Sequence, residues 1–221
     1  MDFKIYHTGS NGNCNIIKTE NYTFMIDCGV PYKRIEESEI IKDWNVDFLI
    51  ITHRHSDHLN VSTYNRLHRE YPNIQVITNS DVQQFLATKN SHYYPDFIIE
   101  SGLTIELGNL EMNFIENEHG VSTQGIVMIE YDEVLLYATD LSTTYFYEEF
   151  LNIRNITLDI CLLENNYDIN KLREKLEQHT GYNLAEAQSR HLEHEEYHAF
   201  VNKFTKPSCK TQELHQSSSL Y

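Results

Sequence analysis

The sequence has no run of about 18 uninterrupted apolar residues, so no helix long enough to cross a bilayer is expected. Its opening residues, Met1-Asp2-Phe3-Lys4-Ile5, have neither the basic start nor the apolar run of a secretory signal, and a cytoplasmic location without membrane attachment is the expectation. The four cysteines, Cys14, Cys28, Cys161 and Cys209, are scattered and form no C-x-x-C pair. That excludes a disulfide scaffold and points to reduced thiols. Positive charge is scarce as well: 17 Lys and Arg stand against 33 Asp and Glu, a formal net charge of −16. A generally basic surface that grips phosphate backbones is therefore excluded, and phosphate must be drawn by a local patch or by bound cations. Repeats and linkers are also lacking.

What is present is a globular composition, 40% hydrophobic and 12% aromatic with dispersed charge. At 221 residues it fits one domain over residues 1–205, followed by a polar C-terminal tail at 206–221. Alternating and continuous apolar runs predict strands over 3–6, 15–17, 22–26, 46–51, 74–78, 103–107, 110–115, 125–131, 134–138 and, as the last, 156–163. Helices are expected over 60–71, ending before Pro72, and over 81–88, 171–179, 183–189 and 193–204. Two groups of strands accompanied by helices give an α/β fold, an αββα sandwich of two mixed sheets packed face to face.

Directly after the apolar strand that ends at Ile51 comes His53-x-His55-x-Asp57-His58. A turn at a strand end lets neighbouring side chains splay toward one cleft. Three imidazoles and a carboxylate within six residues have the chemistry of ligands for zinc or manganese, whereas a plain polar turn has no need of them.

The segment Thr52-His53-Arg54-His55-Ser56-Asp57-His58 resembles the signature of the metallo-β-lactamase superfamily, and Gly9-Ser10-Asn11-Gly12-Asn13-Cys14 and Leu163-Glu164-Asn165-Asn166-Tyr167-Asp168 resemble its branch of WalJ-type DNA exonucleases. The resemblance covers nearly the whole chain. It implies two divalent ions, zinc or alternatively manganese, held by His53, His55, Asp57, His58, His119, Asp140 and His191. His119 would complete one ion's three-histidine set, and Asp140 would bridge to the second ion, held also by Asp57, His58 and His191. Asp27, at the end of the strand before Gly29, would orient the histidines. The remaining histidines, His194 and His198 among them, read as surface or core residues.

Two adjacent ions lower the pKa of a bridging water and neutralise charge at a reacting phosphorus, so phosphodiester hydrolysis is the expected reaction. Asp57 and Asp140 would serve it directly, and Ser10, Asn11, Gly12 and Asn13 would offer backbone N–H groups to the phosphate. The branch has a histidine where Tyr167 stands; Tyr167 is accordingly the candidate proton donor, a weak one because a phenol titrates near pH 10. Glu193 replaces a helix-capping serine. The substrate is a nucleotide phosphodiester: a cyclic nucleotide, as in the compact tRNase Z-like anti-Pycsar enzymes of phages, or a nucleic-acid end, as in the WalJ-like exonucleases. The 119-to-140 spacing leaves no room for the insertion of RNase J-like nucleases. Hydrolysis of a C–N or C–S bond, as in β-lactamases and glyoxalases, and a non-catalytic nucleotide-binding module are the rival classes. Paired subunits are common in the superfamily, which makes a homodimer the implied assembly.

Overall fold

Alternation of apolar and polar residues near the N-terminus builds a meander of three strands, β1 (Asp2–His7), β2 (Cys14–Lys18) and β3 (Thr23–Ile26), paired antiparallel with Ile16 opposite Met25 and Ile17 opposite Phe24. In the computed structural model residues 1–89, 91–177 and 188–216 are described, the side chains of 175–177 excepted. The described chain forms two compact units, Met1–Ser101 and Gly102–Tyr221.

The first unit continues through α1 (Tyr32–Ser38), α2 (Ile40–Trp44), β4 (Phe48–Ile50), α3 (Val61–Glu70), β5 (Gln75–Thr78), α4 (Ser80–Thr88) and β6 (Phe97–Ile98). Its sheet runs β1-β2-β3-β4-β5-β6, and every pairing from β3 onward is parallel. Parallel strands need crossover helices, and these cover the sheet with Ile35, Ile40, Ile41, Tyr64, Leu67, Val82 and Leu86, which join Ile16, Met25 and Leu49 in one buried cluster. Burial of each such side chain contributes about 1.5–3 kcal/mol. Asn60 and Asn79 cap α3 and α4, their side chains accepting from the Thr63 and Val82 N–H groups.

The second unit contains β7 (Thr104–Leu107), β8 (Leu110–Asn117), β9 (Thr123–Glu130), β10 (Glu133–Ala138), α5 (Tyr145–Arg154), β11 (Leu158–Glu164), α6 (Ile169–Glu177), α7 (His194–Phe204) and β12 (Thr205–Leu214). Its sheet has the order β12-β11-β10-β9-β8-β7, antiparallel from β7 to β10 and parallel from β10 to β12. Tyr147 and Leu151 of α5 and Tyr197, Phe200 and Phe204 of α7 pack with Val127, Leu136 and Cys161 of this sheet.

Two six-stranded mixed sheets with flanking helices are the α/β class that the sequence predicts. The end of the chain corrects the expectation. Residues 205–214 do not form a polar tail outside the fold; they are strand β12, parallel to β11, and 156–163 is therefore not the last strand. The segment reads as polar because an edge strand offers one side and one rim to water, and only its final residue, Leu214, is buried. Three helices, α1, α2 and α5, were not anticipated: two are shorter than eight residues, and α5 opens with the aromatic run Tyr145-Phe146-Tyr147, which carries no helical period. The predicted helix over 171–179 is α6 as far as Glu177, and most of the predicted 183–189 helix lies outside the described residues. No helix among the described residues is long and apolar enough to cross a membrane.

Candidate metal centre

In the first unit, the ligand turn is built on a strained aspartate. Asp27 follows β3 with φ of 64°, a left-handed backbone that a non-glycine residue adopts only when its surroundings compel it. Its N–H donates to Ile50 O at 2.8 Å, and its buried carboxylate faces the motif. Oδ1 accepts from the Thr52 N–H at 2.8 Å, and Oδ2 lies 2.6 Å from His58 Nδ1. The Thr52 hydroxyl adds a donor 3.0 Å from both oxygens. Burial raises the Asp27 pKa, and His58 and Thr52 only partly offset it.

His58 thus has Nδ1 held by a carboxylate, and its Nε2 lies 3.6 Å from Asp57 Oδ2 and 2.8 Å from Asn13 Nδ2. His53 Nε2 and His55 Nδ1 approach to 3.0 Å, about the separation of two donors that share one ion at roughly 2.0–2.2 Å each. His53 and His58 are fully buried, whereas the Asp57 side chain is 23% exposed. The turn rests on Gly29: a Cβ there would come 1.7 Å from Asp57 O. Arg54 Nε, 2.8 Å from Asp81 Oδ2, ties the same turn to α4.

The loop expected to cradle phosphate has another duty. Gly12 N–H donates to Gly9 O, Gly9 N–H to Asn13 Oδ1, and Asn13 N–H to Asp57 O at 2.6 Å. Gly12 and Asn13 are buried, so these N–H groups hold the ligand turn and are not presented to a ligand. Only Ser10 and Asn11 of the four residues are exposed.

The second unit repeats the device. Asp140 follows β10 with φ of 59° and is 2% exposed. Its Oδ1 is 3.6 Å from His119 Nε2 and 3.9 Å from Nδ1 of both His191 and His215. These spacings are too long for hydrogen bonds. Asp140, His191 and His215 each offer a ligand atom within 4.8 Å of the others. His119 sits two residues beyond β8, where Asn117 Nδ2 donates to Thr139 O at 2.7 Å, and Tyr147 OH donates to Asn117 Oδ1. These bonds bring the ends of β8 and β10 together. His119 Nδ1 is 2.9 Å from Arg190 O, so the carbonyl fixes the tautomer with Nε2 as the lone-pair nitrogen.

Glu164, fully buried at the end of β11, is the carboxylate behind the other two imidazoles. Its Oε1 is 2.7 Å from His191 Nδ1 and 3.2 Å from His215 Nδ1, and Oε2 accepts from the Leu141 N–H at 3.0 Å. Burial would raise the Glu164 pKa, but His191 and His215 outweigh it and hold the carboxyl below its ordinary value. Burial pulls His191 down, and Glu164 and Asp140 more than restore it, leaving its pKa raised. A carboxylate or carbonyl behind each ligating imidazole is the arrangement metal sites use. The donor set therefore fits divalent cations: Nδ1 of His58, His119, His191 and His215 is anchored in each case, which leaves Nε2 as the ligand nitrogen.

His215 and Glu164 were missed as site residues. His215 follows β12 with φ of 50°, and Asn166 Nδ2 donates to its carbonyl at 2.7 Å. Glu164 closes the apolar strand β11, a position at which a carboxylate is costly without a purpose and which was therefore a usable signal; His215 follows a mostly polar strand and offered none. Tyr167 lies between β11 and α6. It bridges to Glu193, its carbonyl accepts from the His194 N–H at 2.9 Å, and its side chain is buried. Burial first, then Glu193, Glu196 and Glu164, push its pKa up to about 12.

Comparison with known proteins adds four findings. The family model of the metallo-β-lactamase superfamily matches residues 7–182. Exodeoxyribonuclease WalJ of Streptococcus pneumoniae is 28% identical over 181 residues, which cover 77% of this chain and 64% of that protein. The chain thus spans just under two thirds of the length of that relative. Among solved structures, the metallo-β-lactamase fold protein YhfI of Bacillus subtilis aligns over 97% of this chain and 85% of its own with a TM-score of 0.70 at 13% identity. Human tRNase Z, short form, aligns over 99% and 93% with a TM-score of 0.70 at 12% identity.

Proposed function

The chain belongs to the metallo-β-lactamase superfamily, and from that premise we propose that it is a two-metal-ion phosphodiesterase acting on nucleotides. The family match and the His and Asp donor set make the chain a hydrolase-superfamily member whose residues fit divalent metals. The anchoring of Nδ1 on His58, His119, His191 and His215, which recurs independently in each unit, supports the two-metal reading. Four imidazoles with Nδ1 held and Nε2 left over is the orientation that metal ligation uses.

His53, His55, Asp57 and His58 of the first unit and His119, Asp140 and His191 of the second are the proposed ligands, with His215 added beside His191. Zinc suits this nitrogen and oxygen set, and manganese is the alternative for the carboxylate-rich part. When bound, the two ions would lower the pKa of a water and neutralise charge developing on a phosphate. Asp57, with its partly exposed carboxylate, takes the proton of the attacking water. Asp27 and Glu164 hold the imidazoles in register.

The substrate is either a nucleic-acid end or a cyclic nucleotide. The relative named as an exodeoxyribonuclease supports the first, and the −16 charge weighs against a long polyanion and supports the second. A panel of cyclic nucleotides and 5′-phosphorylated single- and double-stranded DNA, assayed at two salt concentrations with zinc or manganese, decides. Activity on DNA that falls steeply with salt selects the exonuclease; activity on cyclic nucleotides with little salt dependence selects the small substrate. Hydrolysis of a β-lactam or a thioester with no phosphodiesterase activity would overturn both.

A further inference from the structure

Asn13 is fully buried in the first unit, just before β2, and its side-chain amide has more partners than it can serve. The Gly9 N–H can only donate, so the amide atom it meets at 2.9 Å is Oδ1, and that fixes which way round the amide stands. Nδ2 then faces three acceptors: Gly9 O and Asp57 O at 3.2 Å each, and His58 Nε2, the nearest, at 2.8 Å. An amide NH2 carries two hydrogens, so these acceptors compete for them. The imidazole obeys the same rule. Two N–H groups do not point at each other, so His58 Nε2 turns its lone pair to Asn13, and its Nδ1–H goes to Asp27 Oδ2 at 2.6 Å.

That lone pair is the one proposed for a metal ion. It serves an N–H or a cation, never both, so Asn13 and an ion at His58 are alternatives. With an ion on Nε2, the amide keeps two acceptors for its two hydrogens, and both lie on backbone that frames the site, Gly9 in its own loop and Asp57 in the ligand turn. Take the amide away, and the fully buried Nε2 loses this donor whenever the ion is absent. An unmet buried acceptor costs more than an ordinary hydrogen bond contributes.

We propose that Asn13 is a positioning residue that holds the metal nitrogen of His58 until the ion takes it. Its amide donates to Nε2 when no ion is bound, and on binding its two hydrogens go to Gly9 O and Asp57 O. Metal occupancy in the first unit is thereby coupled to the 9–13 loop. The proposal rests on the reading of His58 as a ligand, and it adds to that reading a competitor that lowers affinity for the ion while keeping the ring aimed.

The sign of one substitution separates this role from a merely structural one. If Asn13 only braced the loop, Asn13→Ala would loosen the ligand turn and weaken metal binding. As a competitor of the ion it does the reverse: zinc affinity of the full chain, read by competition with a chromophoric chelator, tightens about three- to tenfold at one site in Asn13→Ala. Circular dichroism checks the fold of the variant. A second measurement needs no variant. In nitrogen-labelled wild type, nuclear magnetic resonance detects a scalar coupling between Asn13 Nδ2 and His58 Nε2, carried by the hydrogen bond, in chelator-treated protein, and the coupling is lost at zinc saturation. Unchanged or weaker zinc binding by folded Asn13→Ala overturns the proposal, as does a coupling that is undetected in metal-free protein or survives saturation. If the variant does not fold, the coupling alone decides. A wild type that takes up no zinc overturns the ligand reading and the role of Asn13 with it. A wild type that behaves as described but hydrolyses no member of the phosphodiester panel overturns the functional reading and leaves the role of Asn13 standing.

Discussion

The two units solve one problem with different numbers of imidazoles. In the first, the buried carboxylate of Asp27 faces a single histidine, His58, and burial wins: the carboxyl pKa is raised. In the second, the buried carboxylate of Glu164 faces two, His191 and His215, and their combined pull wins: the pKa is lowered. Both carboxylates orient Nδ1 and leave Nε2 for a ligand, so the difference concerns the cost of holding the site in the absence of metal. A carboxylate taken from water loses solvation worth several kcal/mol, and partners must return it. Two imidazoles do so where one does not.

The comparison breaks most visibly at the two strand-end aspartates: Asp140 is a proposed ligand, whereas Asp27 hydrogen-bonds to His58 Nδ1 from behind. Asp140→Ala should lower kcat/KM roughly 10³-fold or more and reduce the metal content of purified protein, whereas Asp27→Ala should act chiefly through metal affinity. Full activity in Asp140→Ala would remove the distinction.

Gly29→Ala comes next. Its Cβ would meet Asp57 O at 1.7 Å, backbone against backbone, so a loss of about 3 kcal/mol or more is expected from denaturant unfolding. The corresponding close approach in the second unit is Gly125, whose Cβ would meet the Tyr147 hydroxyl at 2.1 Å and the Tyr137 backbone O at 2.7 Å; the backbone clash is the milder of the two units', and Gly125→Ala should cost less than Gly29→Ala. Equal losses would show that the ligand turn is not held as rigidly as its packing requires.

Glu164→Gln keeps the shape and removes the charge. Metal affinity should fall about 10–100-fold, read by competition with a chromophoric chelator. The pH dependence of the metal-free protein has the opposite sign in the two units. A lowered carboxyl pKa contributes stability above its unfolded value, near 4.5, that is lost as pH falls through the folded value, so the gap between wild type and Glu164→Gln should close on acidification below that point. The raised pKa of Asp27 contributes stability at low pH that is lost as pH rises through the folded value, so Asp27→Asn should compare best with wild type at neutral pH. Urea unfolding at three pH values reads both signs. The smallest effect is Asn79→Ala, which removes the α4 cap and should cost about 1 kcal/mol with metal binding unchanged.

Legibility in the sequence followed the strength of local pattern. The first unit's strands and its motif were readable because β-period alternation and a dense ligand cluster are both local signals. Asp140 was reached through the ligand order that the family resemblance implies, and a carboxylate ending an apolar strand, costly without a purpose, supported it. β12 was not readable: Thr205–Leu214 is an edge strand whose side chains mostly face water, so its sequence resembles that of a tail. His215 was lost with it. Glu164 was in view but unassigned, since its partner His215 arrives 51 residues later through the parallel pairing of β11 and β12. The 9–13 loop was proposed to offer its backbone N–H groups to phosphate, whereas those of Gly12 and Asn13 are taken up by Gly9 O and Asp57 O.

The central claim is that two sets of pre-oriented imidazoles and carboxylates hold two divalent ions in one chain. Metal content by inductively coupled plasma mass spectrometry, on protein purified without chelator and dialysed against metal-free buffer, tests it most directly. Two ions per chain in the wild type, and fewer than two in Asp140→Ala, is the predicted result. A wild-type preparation that is fully folded and carries no stoichiometric zinc or manganese, even after reconstitution, would contradict it.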